Sequence, residues 1–599
     1  MLQLDLNMKS ILNNPVIYIW RRMYHNAGKR HKKIFLTTVM FVMSGLIYAA
    51  QPLVFAYFLN SIQKNGINKE NILVLFFALF LFFLCELGSW AFWGPARIIE
   101  QDTAFLVKKN YKEYLLRGTM ALPLAWHTDH HSGDTIDKVE KGTNAIFSFS
   151  ESTFEFIDAF GRIIISFVAL IFLDLYSAMV VIVTSAFIFY IMLYYDRKIV
   201  PGYSIVNKLE NKTSAKIFDI ISNITTVIIL RIENLVFKSI SKSIDLPFPQ
   251  FRKNNVNNEL KWFWAAVLGQ SSIVVALAIY LFSNIGTGKI ILVGSIYILY
   301  SYASRVRETF FSFAHLYNRA VRWKSNVMNA EEISKDFMQI ALLENRYLPK
   351  DWKHLSINNL SFSYHDEENA GLHLDNVNID FKRGSKIAVI GESGGGKTTF
   401  LKLFRALYTP KTMSLKIDDQ EFTGDFNLIS DSISLIPQDP EIFSTTIREN
   451  ITLWVEYTDK EIHRFTDIAS FSDVITRLPK GLESNIVEKG VNLSGGEKQR
   501  LALARGLLAS KEKDIVLLDE PTSSVDFHNE LKIYENIFSS FPEKTIISSI
   551  HRLHLLSLFD DIFFFKEGKI VARGDLEYLK SKSKDFKKLW TKYLKTQNQ

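Results

Sequence analysis

The chain has 599 residues, of which 48% are hydrophobic and 22% charged, and its net charge is +8. That length exceeds one compact core, so at least two domains are expected; the single cysteine, Cys85, excludes both an intrachain disulfide and a cysteine metal cluster. The positive charge could suit nucleic acid, but it lies beside apolar runs, where basic residues read as membrane anchors.

Residues 1–33 form a basic N-terminal segment. Its stretch "RRMYHNAGKRHKK" (Arg21 to Lys33) carries six Lys or Arg and no acid, the pattern of a cytoplasmic anchor rather than a nucleic-acid patch. It lacks the apolar core and cleavage site of a signal peptide, so the first span is expected to remain in the mature protein. A bilayer-crossing helix needs about 20 mostly apolar residues, because lipid offers backbone groups no water. Six segments within residues 34–330 fit. Ile34 to Phe58, Tyr176 to Tyr195 and Trp262 to Phe282 carry no charge, and Ile72 to Trp93 carries only Glu86. Phe154 to Leu173 is interrupted by Glu155, Asp158 and Arg162. Ile290 to Ala303 is short unless it continues through Arg305 and Arg307.

The connections alternate between short ones (Ser61 to Asn71, near Asp174, Ser283 to Lys289) and long charged ones (Arg97 to Ser150, Asp196 to Lys261). With the basic N-terminus inside, the long loops and the C-terminal half are cytoplasmic, where ATP is. Glu151, Glu155, Asp158 and Arg162 are spaced by four, three and four, which predicts one helix face. That face reads either as a charged cavity wall or as a solvated extension of the third span with Arg162 paired to Asp158, the second being favoured. Glu86 has a similar choice between a cavity group and an interhelical hydrogen bond.

Residues 331–350 read as a linker and 351–599 as a second, α/β domain. There "SKIAVI" predicts a short buried strand and "TTFLKLFRALY" a helix with Leu401, Phe404 and Leu407 at helical spacing. Between them "GESGGGKT" (Gly391, Glu392, Ser393, Gly394, Gly395, Gly396, Lys397, Thr398), followed by Thr399, fits the P-loop pattern. Its glycines let backbone N–H groups curl round phosphate oxygens at a helix N-terminus; Lys397 is placed to reach the β- and γ-phosphates and the Thr398 hydroxyl to ligate Mg²⁺. "DIVLLDEP" predicts a strand ending in two carboxylates. Asp519 can hold Mg²⁺ through water while Glu520 polarises the water that attacks the γ-phosphate.

Between those two motifs lies "LSGGEKQR" (Leu493 to Arg500), and here the chain resembles the ATP-binding cassette family, whose signature loop has this form. The motif order is also the family's: Tyr364 in "FSYHDE", the P-loop, Gln438 in "LIPQDPEIF", the signature, Asp519 and Glu520, "SSVD" ending at Asp526, and His551 in "SSIHRL". The resemblance implies that Tyr364 stacks on adenine, that Gln438 links Mg²⁺ and the attacking water to the membrane domain, and that His551 contacts the γ-phosphate. It further implies that Ser494, Gly495 and Gly496, with Asp526, belong to a composite site closing over ATP held by another cassette. Two features depart from the pattern: Glu497 stands where the signature usually has Gln, and "TPKTMSLKIDD" lacks a usual glycine.

One P-loop and one signature per chain imply a dimer, with a homodimer favoured because Glu520 is present. Six spans followed by one cassette resemble an exporter-type half-transporter: a membrane α-helical domain plus an α/β P-loop nucleotide-binding domain. "LPLAWHTDHHSGDTIDKV" and "NITTVIILRIEN" (Asn223 to Asn234) resemble its two cytoplasmic coupling loops. Within the first, His127, His130 and His131 read as a polar helix end rather than a metal site. The implied activity is ATP-driven export of a lipid, peptide or drug-like amphiphile, with ATP and Mg²⁺ as cofactors, in the bilayer of a bacterial inner membrane. An importer, or an ATP-gated channel or sensor on the same scaffold, is the alternative.

Overall fold

The computed structural model describes residues 14–130, 132–285, 291–338, 347–364, 373–422, 424–486 and 493–597. They form two compact units: residues 14–121 with 132–338, and residues 122–130 with 347–597.

In the first unit the basic segment is not merely an anchor. Residues 1–13 lie outside the described residues, and Pro15–Asn26 is a helix that starts with proline in its first turn, where no hydrogen bond is lost. Asn14 caps it, its side chain accepting from the Val16 N–H at 3.0 Å. Ile19 and Met23, four apart, are buried, and Arg22 pairs at 2.6 Å with Glu331 of the unit's last helix. The charges of this segment therefore frame an amphipathic face.

The apolar run from Ile34 is broken rather than continuous. His31–Ala49 and Gln51–Asn65 are separate helices, the second with Pro52 in its first turn. Among the described residues five helical stretches are long and apolar enough to cross a membrane: Gly28–Asn65, Ile72–Met120, Ser132–Leu173, Leu175–Ser222 and Glu233–Asn284. The helix at the position expected for the sixth span, Val293–Met338, has 46 residues, is not among these five, and continues through Arg305 and Arg307. It also takes in residues 331–338, expected as linker; residues 339–346 lie outside the described residues.

The charged face predicted between Glu151 and Arg162 loses its first member. Ser132–Ser150 and Thr153–Leu173 are two helices joined by a turn at Glu151 and Ser152, so Glu151 is off the stripe. Arg162 pairs with Asp158 at 2.8 Å and Glu155 pairs with Arg319. Glu86 accepts from Gln51 Nε2 at 2.8 Å, which makes it an interhelical hydrogen-bond acceptor.

The second unit contains the short helix Leu124–Asp129. His130 there stacks on Trp126 at 4.0 Å, and no metal-binding group of His, Cys, Asp or Glu occurs among the described residues; His131 lies outside them. The rest of the unit is built on two sheets. A four-stranded antiparallel sheet has the order β2 (Leu374–Lys382), β1 (His354–Phe362), β4 (Thr412–Ile417), β5 (Gln420–Phe422). A six-stranded sheet runs β10 (Lys569–Gly574), β9 (Asp561–Lys566), β3 (Lys386–Gly391), β8 (Thr545–Ser549), β7 (Ile515–Asp519), β6 (Ile433–Ile436). Strands β9, β3, β8, β7 and β6 are parallel. β7 and β8 are buried along their whole length, as continuous apolar strands with both faces covered must be. Helix Lys397–Phe404 leaves the end of β3 and buries Phe400, Leu401 and Phe404 in the core shared by the two sheets.

Candidate functional site

The site residues stand where β3, β8, β7 and β6 end. Because these four are parallel neighbours, their carboxyl ends lie in a row, the place where an open α/β sheet holds a ligand. β3 delivers the loop Gly391 to Thr398, β7 delivers Asp519 and Glu520, β8 is followed by His551, and β6 by Gln438.

The loop's curl requires glycine. At Gly391 φ is +151°, and a Cβ would come 2.2 Å from the Phe565 carbonyl oxygen; at Gly396, with φ +104°, it would come 2.8 Å from Leu374. Lys397 is buried and its ammonium donates to the Gly391 carbonyl at 2.8 Å and the Glu392 carbonyl at 3.2 Å. Burial holds its pKa below the ordinary lysine value, opposed by the nearby carboxylates Glu520 and Asp519. The Thr398 hydroxyl donates to Asp519 Oδ1 at 3.1 Å, joining the loop to the end of β7. Burial raises the Asp519 pKa, opposed first by that hydroxyl.

Glu520 is the geometric centre of the rest. Gln438 Nε2 donates to one carboxylate oxygen at 3.0 Å, and His551 Nε2 lies 2.9 Å from the other. Burial raises its pKa, and His551 and then Lys397 oppose the rise. Its backbone sits at φ +46°, a left-handed conformation costing an ordinary residue about 1–2 kcal/mol. A cleft of about 260 Å³ opens beside Glu520 and His551, walled further by Thr522, Glu530, Tyr534 and Arg552. A carboxylate held at both oxygens, partly desolvated and next to a phosphate-type loop can accept a proton from water.

Tyr364 is 41% exposed, and its hydroxyl lies 3.4 Å from the Thr399 hydroxyl at the loop's helix, leaving an aromatic surface beside the loop. Glu392, Ser393, Gly394 and Gly395 complete the same loop. The signature lies apart from it: among the described residues no hydrogen bond or ion pair joins Ser494, Gly495 or Gly496 to the P-loop. Gly496 instead packs on Ser524, where a Cβ would meet the carbonyl oxygen at 2.8 Å. Asp526 caps helix Phe527–Ser540 by accepting from the Asn529 N–H at 3.0 Å. Within one chain, then, direct contacts join the P-loop to Asp519 and bring Gln438 and His551 onto Glu520, while the signature glycines pack on Ser524.

The family profile described as "ABC transporter transmembrane region" matches residues 34–309, and that described as "ABC transporter" matches residues 374–523. The chain belongs to the ATP-binding cassette (ABC) transporters. It is an integral membrane protein that binds ATP and drives transport with it.

This ABC transporter is 26% identical over 587 residues, 97% of each chain, to the multidrug resistance-like ATP-binding protein MdlB of Buchnera aphidicola. It is 35% identical over 243 residues to the mitochondrial iron-sulfur clusters transporter ATM1 of Candida glabrata, covering 39% of this chain and 32% of that one. Its fold matches that of a bacterial Atm1-family ABC exporter with ATP bound, at a TM-score of 0.78 and 20% identity, over 94% of this chain and 99% of the other.

One residue of the transporter's cassette escaped the motif reading. Gln499 is buried; its Nε2 donates to the Gln438 carbonyl at 3.2 Å and the Ser523 hydroxyl at 2.7 Å, and its Oε1 accepts from the Ser524 N–H at 2.8 Å. It ties the segment carrying Gln438 to the segment after Glu520. Its spacing of three and four from the buried Ala502 and Leu503 marks a polar group on an apolar helix face, a signal that was available.

Proposed function

We propose that the chain is half of an exporter that works as a homodimer in a bacterial inner membrane, with its N-terminus and cassette cytoplasmic, moving an amphipathic compound outward by alternating access. The support is the pairing within one chain of a complete phosphate-side site and a separate signature face. Two copies arranged head to tail would supply each P-loop with the other's Ser494, Gly495, Gly496 and Asp526. ATP bound between the faces favours the closed dimer, and hydrolysis removes that preference.

Each residue then has a role set by its place. The loop amides and Lys397 bind the phosphates, and Tyr364 offers its ring to adenine. Thr398 and Asp519, two hard oxygen donors 3.1 Å apart at a buried strand end, fit Mg²⁺, with Gln438 as a further ligand. The ion would neutralise phosphate charge when bound. Glu520 takes the proton of the attacking water, while Gln438 and His551 hold its carboxylate, His551 also being within the site to meet the γ-phosphate.

The observation that carries this reading is the convergence of Gln438 and His551 on Glu520. Its test is the ATPase activity of the purified chain in lipid nanodiscs, wild type beside Glu520→Gln, with lipids, peptides and dyes added. The variant should bind ATP normally and hydrolyse at least about a hundredfold more slowly, and one compound class should stimulate the wild type only. Ordinary hydrolysis by Glu520→Gln overturns the base assignment. Accumulation of that compound in intact cells rather than in inverted vesicles overturns the outward direction, and passive flux in the ATP-bound state favours a channel.

A further inference from the structure

On the membrane unit, helices His31–Ala49, Gln51–Asn65, Thr153–Leu173 and Val293–Met338 border an open groove of about 450 Å³, a size suited to a small ligand. Its walls are apolar and include Leu46, Ala49, Leu53, Ile165, Ala169 and Ile298. The one hydroxyl in the lining, on Tyr302, is already used, donating to the Ala49 carbonyl at 2.8 Å. Such a wall offers dispersion and burial to a hydrocarbon and little to a polar chain.

Two walls carry an arginine at the same end. Arg162, Ile165 and Ala169 are spaced by three and four, as are Arg305, Tyr302 and Ile298 read in reverse, so each guanidinium stands about one turn beyond the apolar lining on the same helix face. The two converge on one ring: the Arg162 guanidinium lies 5.4 Å from the centre of Tyr48 and that of Arg305 lies 5.0 Å from it. Asp158 pairs with Arg162 at 2.8 Å. Among the described residues no carboxylate lies within ion-pair distance of Arg305. One negative charge thus faces two positive ones.

We propose that this groove holds a membrane-derived anionic amphiphile, its apolar tail along the four helices and its acidic headgroup on Arg305 and Arg162. The assignment rests on the reading of the chain as a transporter of amphipathic compounds and narrows it to acidic lipids with a single tail as the best fit to the groove. Tyr48 holds the two guanidiniums in place by cation–π contact, so the headgroup site is organised before the ligand arrives. A cationic drug would meet the wrong charge, and a free phosphate would leave the apolar walls unfilled.

The test uses the full chain in phosphatidylcholine nanodiscs with labelled 1-oleoyl lysophosphatidic acid as probe. Lysophosphatidylcholine serves as the same tail without net charge, and glycerol 3-phosphate as the head without the tail. The wild type should bind lysophosphatidic acid saturably and at least about tenfold more tightly than lysophosphatidylcholine. Glycerol 3-phosphate should not displace it. Arg305→Gln should remove most of that preference, Arg305→Lys should restore part of it, and Ala169→Phe should weaken both lysolipids alike.

Equal binding of the two lysolipids by the wild type, displacement by glycerol 3-phosphate alone, or an unchanged preference in Arg305→Gln overturns the proposal. The wild-type competition decides the matter even where a variant fails to fold. ATPase assays on the same nanodiscs separate the two readings. Tight lysophosphatidic acid binding without any ATPase response supports the site and counts against coupled transport of its occupant. Stimulation by another compound class, with no lysophosphatidic acid bound, removes the site and leaves the transporter.

Discussion

Gln438 and Glu520, from the ends of the neighbouring strands β6 and β7, meet side chain to side chain, the Gln438 amide donating to one carboxylate oxygen at 3.0 Å while His551 holds the other at 2.9 Å. Burial raises the Glu520 pKa above its ordinary 4.5, and His551 beside it is the first influence opposing the rise. A base must be ionised, so turnover should rise with pH through the Glu520 pKa, giving an acid limb above the ordinary carboxylate range. Removing the imidazole that opposes the rise pushes that pKa further up. His551→Ala should therefore lower turnover and also move the acid limb to higher pH; a kcat–pH profile with the limb unmoved would break the electrostatic link between these two residues.

Much of this arrangement was legible because the cassette's chemistry sits on contiguous loops. Gly391 to Thr398 and Asp519–Glu520 each follow a short apolar strand, so local pattern placed them at strand ends. What local pattern could not supply was which strand ends are neighbours: that Gln438 and His551 both reach Glu520 follows from the order β3-β8-β7-β6. The left-handed backbone of Glu520 has no glycine to announce it. In the membrane unit, hydropathy found the apolar runs but read through the break before Gln51, where Pro52 begins a new helix, and through the turn that removes Glu151 from the charged stripe. The dense charge of Arg21 to Lys33 drew attention from Ile19 and Met23, whose spacing already encoded a packed helix.

Glu497, the departure from the usual signature, is a helix cap. Its carboxylate accepts from the Ser494 N–H at 2.8 Å while the Ser494 hydroxyl accepts from the Glu497 N–H at 3.3 Å, a reciprocal capping box, and Arg477 pairs with it from outside. Burial alone would raise its pKa, but the Ser494 and Arg477 interactions outweigh this and hold it below 4.5. A depressed carboxylate contributes stability that is present above its unfolded pKa and lost as pH falls through the folded value. Glu497→Ala should cost about 1 kcal/mol locally, speeding hydrogen exchange of the Gly495–Gln499 amides about fivefold. Glu497→Gln should keep the cap and, lacking a titratable group, show less loss of protection in acid.

Arg552 spans two segments of the same cassette. It donates to the buried carboxylate of Glu530 at 3.1 Å and to the Val525 carbonyl at 2.8 Å, so one guanidinium joins the residue next to His551 to the stretch leading into Asp526. Thr522 donates to the other Glu530 oxygen at 2.7 Å. Arg552→Ala leaves that carboxylate buried without its cation. Because Arg552 is 39% exposed, the loss should fall short of that for a fully buried pair, at about 1–3 kcal/mol. Thermal inactivation of the ATPase should come earlier in Arg552→Ala, and Arg552→Met with Glu530→Gln should recover most of it. No recovery in the pair would place the effect in packing rather than in the stranded charge.

In the membrane unit, Asp196 and Lys261 immediately flank the apolar runs ending at Tyr195 and beginning at Trp262. They pair at 2.9 Å, and the Lys261 side chain is 0% exposed. A buried ammonium is tolerated only while its partner and the surrounding geometry compensate the lost hydration. Asp196→Asn strands that charge and should destabilise the unit by about 3–5 kcal/mol, visible as loss of monodisperse protein after mild heating in detergent. Lys261→Met should cost less, because Asp196 retains 17% exposure and some hydration. The double variant Asp196→Leu with Lys261→Met removes both charges and should be closer to wild type than Asp196→Asn alone. If the double variant is instead as unstable as the single one, the pair's contribution lies in its hydrogen-bond geometry between helices Leu175–Ser222 and Phe248–Asn284, not in charge compensation.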